Sequence, residues 1–260
     1  MSRTTLAQRI HAAREDGRGV LIGYLPLGFP SLATSIEAAR ILIEEGFDAV
    51  ELGIPYSDPV MDGPVIARAT QTALEGGFKL RDTFGAVRQI AEGNDTPLVV
   101  MTYWNPVLQY GVVKFTTDLL DAGSTGLITP DLIPDEAAEW LDASSALGAE
   151  RVFLAAPSSS DARLKAAAEA SEGFVYAVST MGITGARDDV DEAAKTLVAR
   201  LREQGAQRIC VGLGISTPEQ VSDVLSYADG AIVGSALVKA LENGGVEELR
   251  SLAHSLAHRR

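Results

Sequence analysis

The sequence predicts a (β/α)8 (TIM) barrel, and three observations carry that prediction. The chain has 260 residues, long for an ordinary domain but usual for a single α/β barrel. Eight short runs rich in β-branched and apolar residues recur along it, separated by segments of helical periodicity, which is the pattern of parallel strands joined by crossover helices. The turn after the first run, "GYLPLGFP", contains no G-x-G-x-x-G, so the dinucleotide fingerprint of the competing architecture, an open doubly wound sheet, is missing.

The elements follow in order. "TTLAQRIHAARED" precedes every strand and reads as an N-terminal helix capping one end of the barrel. The eight strand runs are "GVLIGYL" from Gly19, "DAVELGI" from Asp48, "PLVVMTY" from Pro97, "TGLITPD" from Thr125, "RVFLAAP" from Arg151, "GFVYAVS" from Gly173, "RICVGLG" from Arg208 and "DGAIVGS" from Asp229. Between them "LATSIEAARILIEEGF", "DEAAEWLDASSALG", "VDEAAKTLVARLREQG" and "TPEQVSDVLSYA" have helical spacing. Gly46, Gly148 and Gly205 stand where helices should stop before the next strand. "ALVKALENGG" after the eighth run reads as a short extra helix. No low-complexity linker divides the chain, so residues 1–260 are read as one barrel domain.

Composition narrows the function. The chain is 46% hydrophobic and 22% charged, and no apolar run approaches the roughly 20 residues of a membrane span. The N-terminus lacks the apolar core of an export signal, so a cytoplasmic protein is expected. A formal net charge of −13 with scattered basic residues argues against nucleic acid. The single cysteine, Cys210, excludes a disulfide framework and a cysteine-based metal site, and reads as a buried strand residue. The three histidines, His11, His254 and His258, fall in terminal helices. Proton transfer in a central site therefore falls to carboxylates or a tyrosine, and no metal ligands are expected.

In such barrels the chemistry sits at the C-terminal ends of the strands. On "DAVELGI", strand alternation puts Ala49, Glu51 and Gly53 on one face and Val50, Leu52 and Ile54 on the other. The branched set must pack against helices, so Glu51 points into the barrel, flanked by two small residues. Burial there raises a carboxyl pKa toward the range useful for proton transfer. A buried polar network without catalytic duty is the other reading of Glu51. In the following loop Asp58 reads as a turn residue, while Asp62, just before the next helix, either caps that helix or faces a ligand.

"GLGIS" (Gly212 to Ser216) and "VGSA" (Val233 to Ala236) follow the seventh and eighth strands, where these barrels bind phosphate on backbone N–H groups. The pairing predicts a phosphorylated ligand. "TMGITGARDDV", with Gly182 and Gly185, reads as a lid or as a merely flexible connection. Tyr176 is either a packed aromatic or a ligand contact.

Taken together, "ELGIPYSDPVMDGP", "MTYWNPV", "FVYAVSTMGITGA", "VGLGIS" and "IVGSALV" resemble the tryptophan synthase α-subunit family over nearly the whole chain. The resemblance implies a lyase that cleaves indole-3-glycerol phosphate to indole and glyceraldehyde 3-phosphate. It implies that Glu51 is the general acid/base and that Asp62 holds and polarises the indole N–H. Tyr176 matches the family's active-site tyrosine, Gly182, Gly185, Gly214, Gly234 and Ser235 match positions around the phosphate, and Thr184 matches a lid threonine that meets the Asp62 loop. It further implies no cofactor in this chain, and an α2β2 heterotetramer with a pyridoxal-phosphate-dependent β subunit. The docking surface would be an apolar collar of Pro55, Tyr56, Pro106, Val107, Leu108, Ile133 and Pro134. Phe29, Met61, Thr180 and Leu213 depart from the commoner family pattern; none replaces either carboxylate. An indole-glycerol-phosphate synthase would place a lysine on a strand and a metal-dependent epimerase would offer histidines there, and none of the strand runs carries either. A binding subunit that has lost catalysis is opposed by the intact Glu51 and Asp62.

Overall fold

The computed structural model describes residues 3–178, 187–212 and 214–258, with the backbone alone for 187–191. Its strands are β1 (Val20–Pro26), β2 (Ala49–Gly53), β3 (Leu98–Met101), β4 (Gly126–Ile128), β5 (Glu150–Val152), β6 (Leu154–Ala155), β7 (Val175–Val178), β8 (Ile209–Gly212) and β9 (Gly230–Val233). All neighbours are parallel, in the order β5-β4-β3-β2-β1-β9-β8-β7-β6. The two edge strands, β5 and β6, are consecutive pieces of one chain run interrupted at Phe153. The fifth expected strand is thus a broken stave, and eight staves make the barrel.

The helices are α1 (Leu6–Glu15), α2 (Leu32–Glu44), α3 (Pro64–Glu75), α4 (Asp82–Ala91), α5 (Trp104–Tyr110), α6 (Val112–Ala122), α7 (Ala138–Leu147), α8 (Asp161–Ala170), α9 (Arg187–Glu203), α10 (Pro218–Leu225) and α11 (Ser235–Ala257). The third run ends sooner than its composition suggests: β3 stops at Met101, and Tyr103 is the N-cap of the short α5. Gly46, Gly148 and Gly205 all have positive φ after their helices, as their positions predict. None of the described helices is long and apolar enough to cross a membrane.

Two cores follow from the strand alternation. Outward-facing residues such as Val50, Leu52, Leu98 and Val100 join the large core beneath the helices. Inward-facing Val20, Ile22, Ala49, Val99, Ile128, Val152, Phe174, Cys210 and Ile232 form a separate cluster, which Leu6, Ile10 and Ala13 of α1 close from below. Helix α1 is the expected cap, and it is fixed by charge as well as by packing. The buried carboxylate of Glu150 accepts the N–H groups of Leu6 at 2.7 Å and Ala7 at 2.8 Å, an anion at the positive end of a helix. Thr5 and Gln8 complete a capping box.

At the other end of the chain α11 is two helices. Gly245 interrupts it with φ 66° and ψ −155°, a backbone that side chains avoid. The short piece, residues 235–244, is the extra helix expected after the last strand, and the remainder packs as the final helix of the shell.

Candidate active site

Glu51 sits mid-strand on β2, paired in register with Tyr24 of β1 and Val99 of β3. It is 0% exposed, and among the described residues neither carboxyl oxygen has a hydrogen-bond partner. The described residues therefore form no polar network around it. Burial, reinforced by the nearby Asp62 carboxylate, raises its pKa from 4.5 to about 8. At neutral pH the group is mainly protonated.

The neighbouring glycines are not empty space. A Cβ on Gly53 would lie 2.3 Å from the Tyr24 hydroxyl, and one on Gly212 would lie 2.5 Å from the Tyr176 hydroxyl. Two tyrosines thus lie over strand positions that only glycine can occupy, and both border the same cavity as Glu51.

Asp62 resolves one of the alternatives left by the sequence. The N-cap of α3 is Gly63, with Pro64 in the first turn and no side-chain cap bond, so Asp62 does not cap that helix. Its side chain borders the cavity and accepts a hydrogen bond from the Tyr103 hydroxyl at 3.2 Å. The same hydroxyl accepts the Met61 N–H at 2.9 Å, and the Tyr103 ring stacks on Tyr56 with centroids 5.0 Å apart. Tyr103 therefore ties the Asp62 loop to the end of β3. Burial raises the Asp62 pKa from 3.8 to about 6, with the Tyr103 hydrogen bond acting in the opposite direction. Asp58 is exposed and bonded to Ser57, a local turn contact.

The cavity measures about 190 Å³. Glu51 and Asp62 share it with apolar Met61, Ile66, Met101 and Ile232, and its far side is made by Gly212, Gly214, Gly234 and Ser235. Among the described residues, no lysine or arginine lines it. Gly234 is the N-cap of α11, and the amide of Val238 is bonded to the Gly234 carbonyl at 3.1 Å. The amides of Ser235, Ala236 and Leu237 thus lie at the open, positive end of the helix, a ready anion site. Gly214 has φ 63°, which presents its backbone in a conformation unsuited to other residues.

The structure thus brings Glu51, Asp62, Tyr176, Gly214, Gly234 and Ser235 to one cavity. Gly182, Thr184 and Gly185, and the departures Thr180 and Leu213, lie outside the described residues. Tyr24 and Tyr103 were missed by sequence reasoning. Alternation with Ile22 marks Tyr24 as inward-facing, but nothing in the sequence signals the contact of Tyr103 with a residue 41 positions away. The expected apolar collar needs correction: Pro55 and Val107 are buried, whereas Leu108 is 48%, Ile133 38% and, from the Asp62 loop, Val60 76% exposed.

Comparison with known proteins gives a consistent picture. The family model described as "Tryptophan synthase alpha chain" matches residues 10–259. The tryptophan synthase alpha chain of Leifsonia xyli subsp. xyli is 62% identical, covering 97% of both chains. That of Mycobacterium avium is 57% identical, over 95% of this chain and 90% of its own. Among solved structures, a chain of Mycobacterium tuberculosis tryptophan synthase in space group F222 superposes with a TM-score of 0.92 at 51% identity, over 98% of both chains. The alpha subunit from Legionella pneumophila reaches 0.90 at only 27% identity, covering 100% of this chain and 98% of its own.

The burial of Glu51 carries a stability prediction. With its native pKa at about 8 against an ordinary 4.5, the folded chain keeps a proton that the unfolded chain has lost across that window. Stability from this group is complete below about pH 4.5 and falls as pH rises through about 8, by up to about 1.4 kcal/mol per unit. Glu51→Gln removes the titration. The melting temperature of the variant minus that of the wild type should therefore climb between about pH 5 and 8 and level off above, as followed by circular dichroism. A difference that does not vary with pH would mean that Glu51 titrates normally.

Proposed function

The chain belongs to the tryptophan synthase alpha chain family, and from that premise we propose how its own residues carry out the family's reaction. That reaction is the retro-aldol cleavage of indole-3-glycerol phosphate to indole and glyceraldehyde 3-phosphate, the lyase step that supplies indole for tryptophan biosynthesis. The reading rests above all on one observation: Glu51, fully buried, and Asp62, bonded to Tyr103, share one cavity, an environment that raises the pKa of the first carboxyl to about 8 and of the second to about 6. Near neutrality one carries a proton and the other a charge, the division from which acid/base roles are assigned.

In this account Glu51 delivers its proton to C3 of the indole ring, which becomes an indolenine with positive charge on nitrogen. The Asp62 carboxylate accepts the ring N–H and stabilises that charge in a site shielded from water. Glu51, now ionised, takes the proton of the glycerol hydroxyl beside the ring. The carbon–carbon bond breaks, its electron pair returns to the ring and neutralises the nitrogen, and the hydroxyl carbon leaves as the aldehyde. Glu51 ends as it began, protonated. Met61, Ile66, Met101 and Ile232 supply an apolar wall for the ring, and Tyr176 is a substrate contact. Gly214, Gly234 and Ser235 bind the phosphate through backbone N–H groups. Gly182 and Gly185 near the phosphate, and Thr184 as a lid residue meeting the Asp62 loop, are carried over from the family resemblance alone.

The α subunit carries no cofactor, and pyridoxal phosphate belongs to the β subunit. The family pairs α with β. For this chain we read an α2β2 assembly, a single barrel domain over residues 1–260 and a cytoplasmic location. Exposed Val60 and Ile133, in the segments after β2 and β4, and Leu108 of α5, after β3, would form the apolar part of the docking surface.

Glu51→Gln cannot exchange a proton, so single-turnover release of indole from indole-3-glycerol phosphate should fall by ~10²- to 10⁴-fold. Asp62→Asn should also lower turnover strongly. Binding of glyceraldehyde 3-phosphate should survive in both variants. Wild-type turnover in either variant would remove it from the mechanism; loss of phosphate-ligand binding in both would mean that the cavity had collapsed.

Titrating purified β subunit into the same assay tests the docking surface. Indole release should rise to saturation with β, and Leu108→Asp with Ile133→Asp should weaken the response without changing the activity of α alone. An unchanged response would place the interface elsewhere.

A further inference from the structure

A second cluster of chemistry-bearing side chains lies on the helical shell. His254 and His258 are one turn apart near the end of α11, on the same face, with rings stacked at 4.2 Å. Glu45, the residue after the last turn of α2, meets them from a segment more than 200 positions away in sequence, its Oε2 lying 2.9 Å from His254 Nδ1. Donor atoms of the three side chains all fall within 4.8 Å of one another. The sequence reading expects no metal ligands, because the two histidines stand alone in a terminal helix until the fold brings Glu45 beside them.

Four features separate this cluster from an ordinary surface ion pair. Glu45 is held in place, since Arg250 Nη1 bonds its other oxygen at 2.8 Å while the second guanidinium nitrogen bonds Glu44 at 2.9 Å. An orienting partner behind a ligating carboxylate is the usual support of a metal site. His258 Nδ1 lies 3.1 Å from the His254 carbonyl; a contact with a carbonyl makes it the N–H donor, so its Nε2 bears the lone pair an ion requires. The Glu45 and His254 atoms, at 2.9 Å, are already close to the spacing of about 3.0–3.4 Å expected for two atoms bound to one ion at about 2.1 Å. A groove beside the histidines, lined also by Glu219 and Asp223 of α10, adds negative potential.

We propose that Glu45, His254 and His258 form a site for a divalent transition-metal ion of the zinc or nickel class. Two imidazoles and one carboxylate suit such ions, whereas calcium and magnesium prefer all-oxygen sets. The ion takes the place of the proton shared by His254 and Glu45, with water completing its coordination on the exposed side. Both contributing helices end here, at the end of the barrel opposite the catalytic cavity. The ion therefore ties the last turn of α11 to the end of α2 and stabilises the shell without entering the reaction.

Calorimetric titration of Zn²⁺ and of Ni²⁺ into the tag-free full chain, in a non-chelating buffer, tests this, with thermal melts in parallel. One saturable site is expected, with His254→Gln and His258→Gln each weakening it at least about tenfold and Glu45→Gln weakening it measurably. Mg²⁺ should not compete. The ion should raise the melting temperature of the wild type but not of the double histidine variant, whose metal-free melt should match the wild type, and indole release should be unaffected. Absence of saturable binding, undiminished binding in the double variant, or an affinity indifferent to Glu45→Gln would each overturn the three-residue site.

Discussion

A carboxyl group enclosed in a barrel without a hydrogen-bond partner is strongly disfavoured as an anion, and that placement of Glu51 is the constraint on which the rest of the site depends. Burial keeps the group protonated near neutrality. It also makes the charge state of Asp62 consequential, because that carboxylate raises the cost of ionising Glu51. Tyr103 lowers the Asp62 pKa against the effect of burial, and so helps keep the two groups apart in proton affinity. The tyrosines over Gly53 and Gly212 complete the enclosure from two sides.

The barrel separates what stabilises from what reacts. At its lower end α1 closes the inner cluster of aliphatic side chains and is anchored by the Glu150 carboxylate. At its upper end the strand termini carry a carboxyl, glycines and open helix amides, none of which contributes much to packing. The break at Gly245 belongs to the same economy of form. It frees the helix over residues 235–244 to point its N-terminus at the cavity while the following residues pack in the shell.

Much of this was legible in the sequence because periodicity encodes faces. Strand alternation alone sent Glu51 inward with Ala49 and sent Val50 and Leu52 outward, and the helix-stopping glycines lie where their left-handed backbone is needed. The paired glycine motifs after the last two strands likewise marked the end of the cavity now lined by Gly214 and Gly234. What periodicity cannot encode is a contact between distant side chains. The Tyr103–Asp62 hydrogen bond, the exclusion of Asp62 as a helix cap, and the meeting of Glu45 with His254 are of that kind. Pro55 and Val107 are buried for a related reason: exposure next to a strand end depends on what the chain does there, and Val107 belongs not to a loop but to the buried face of α5.

The central claim is that one environment holds two carboxyl groups in opposite protonation states near neutral pH. Carbon-13 NMR of the side-chain carboxyls of Glu51 and Asp62, assigned by substitution and followed from about pH 4 to 10 in the ligand-free chain, measures this directly. The account predicts apparent titrations near 8 and near 6, and a downward shift of Glu51 in Asp62→Asn that still leaves it above the ordinary carboxyl range, since burial is the larger cause. Titration of Glu51 at the ordinary value, or of both groups together below about pH 5, would contradict it.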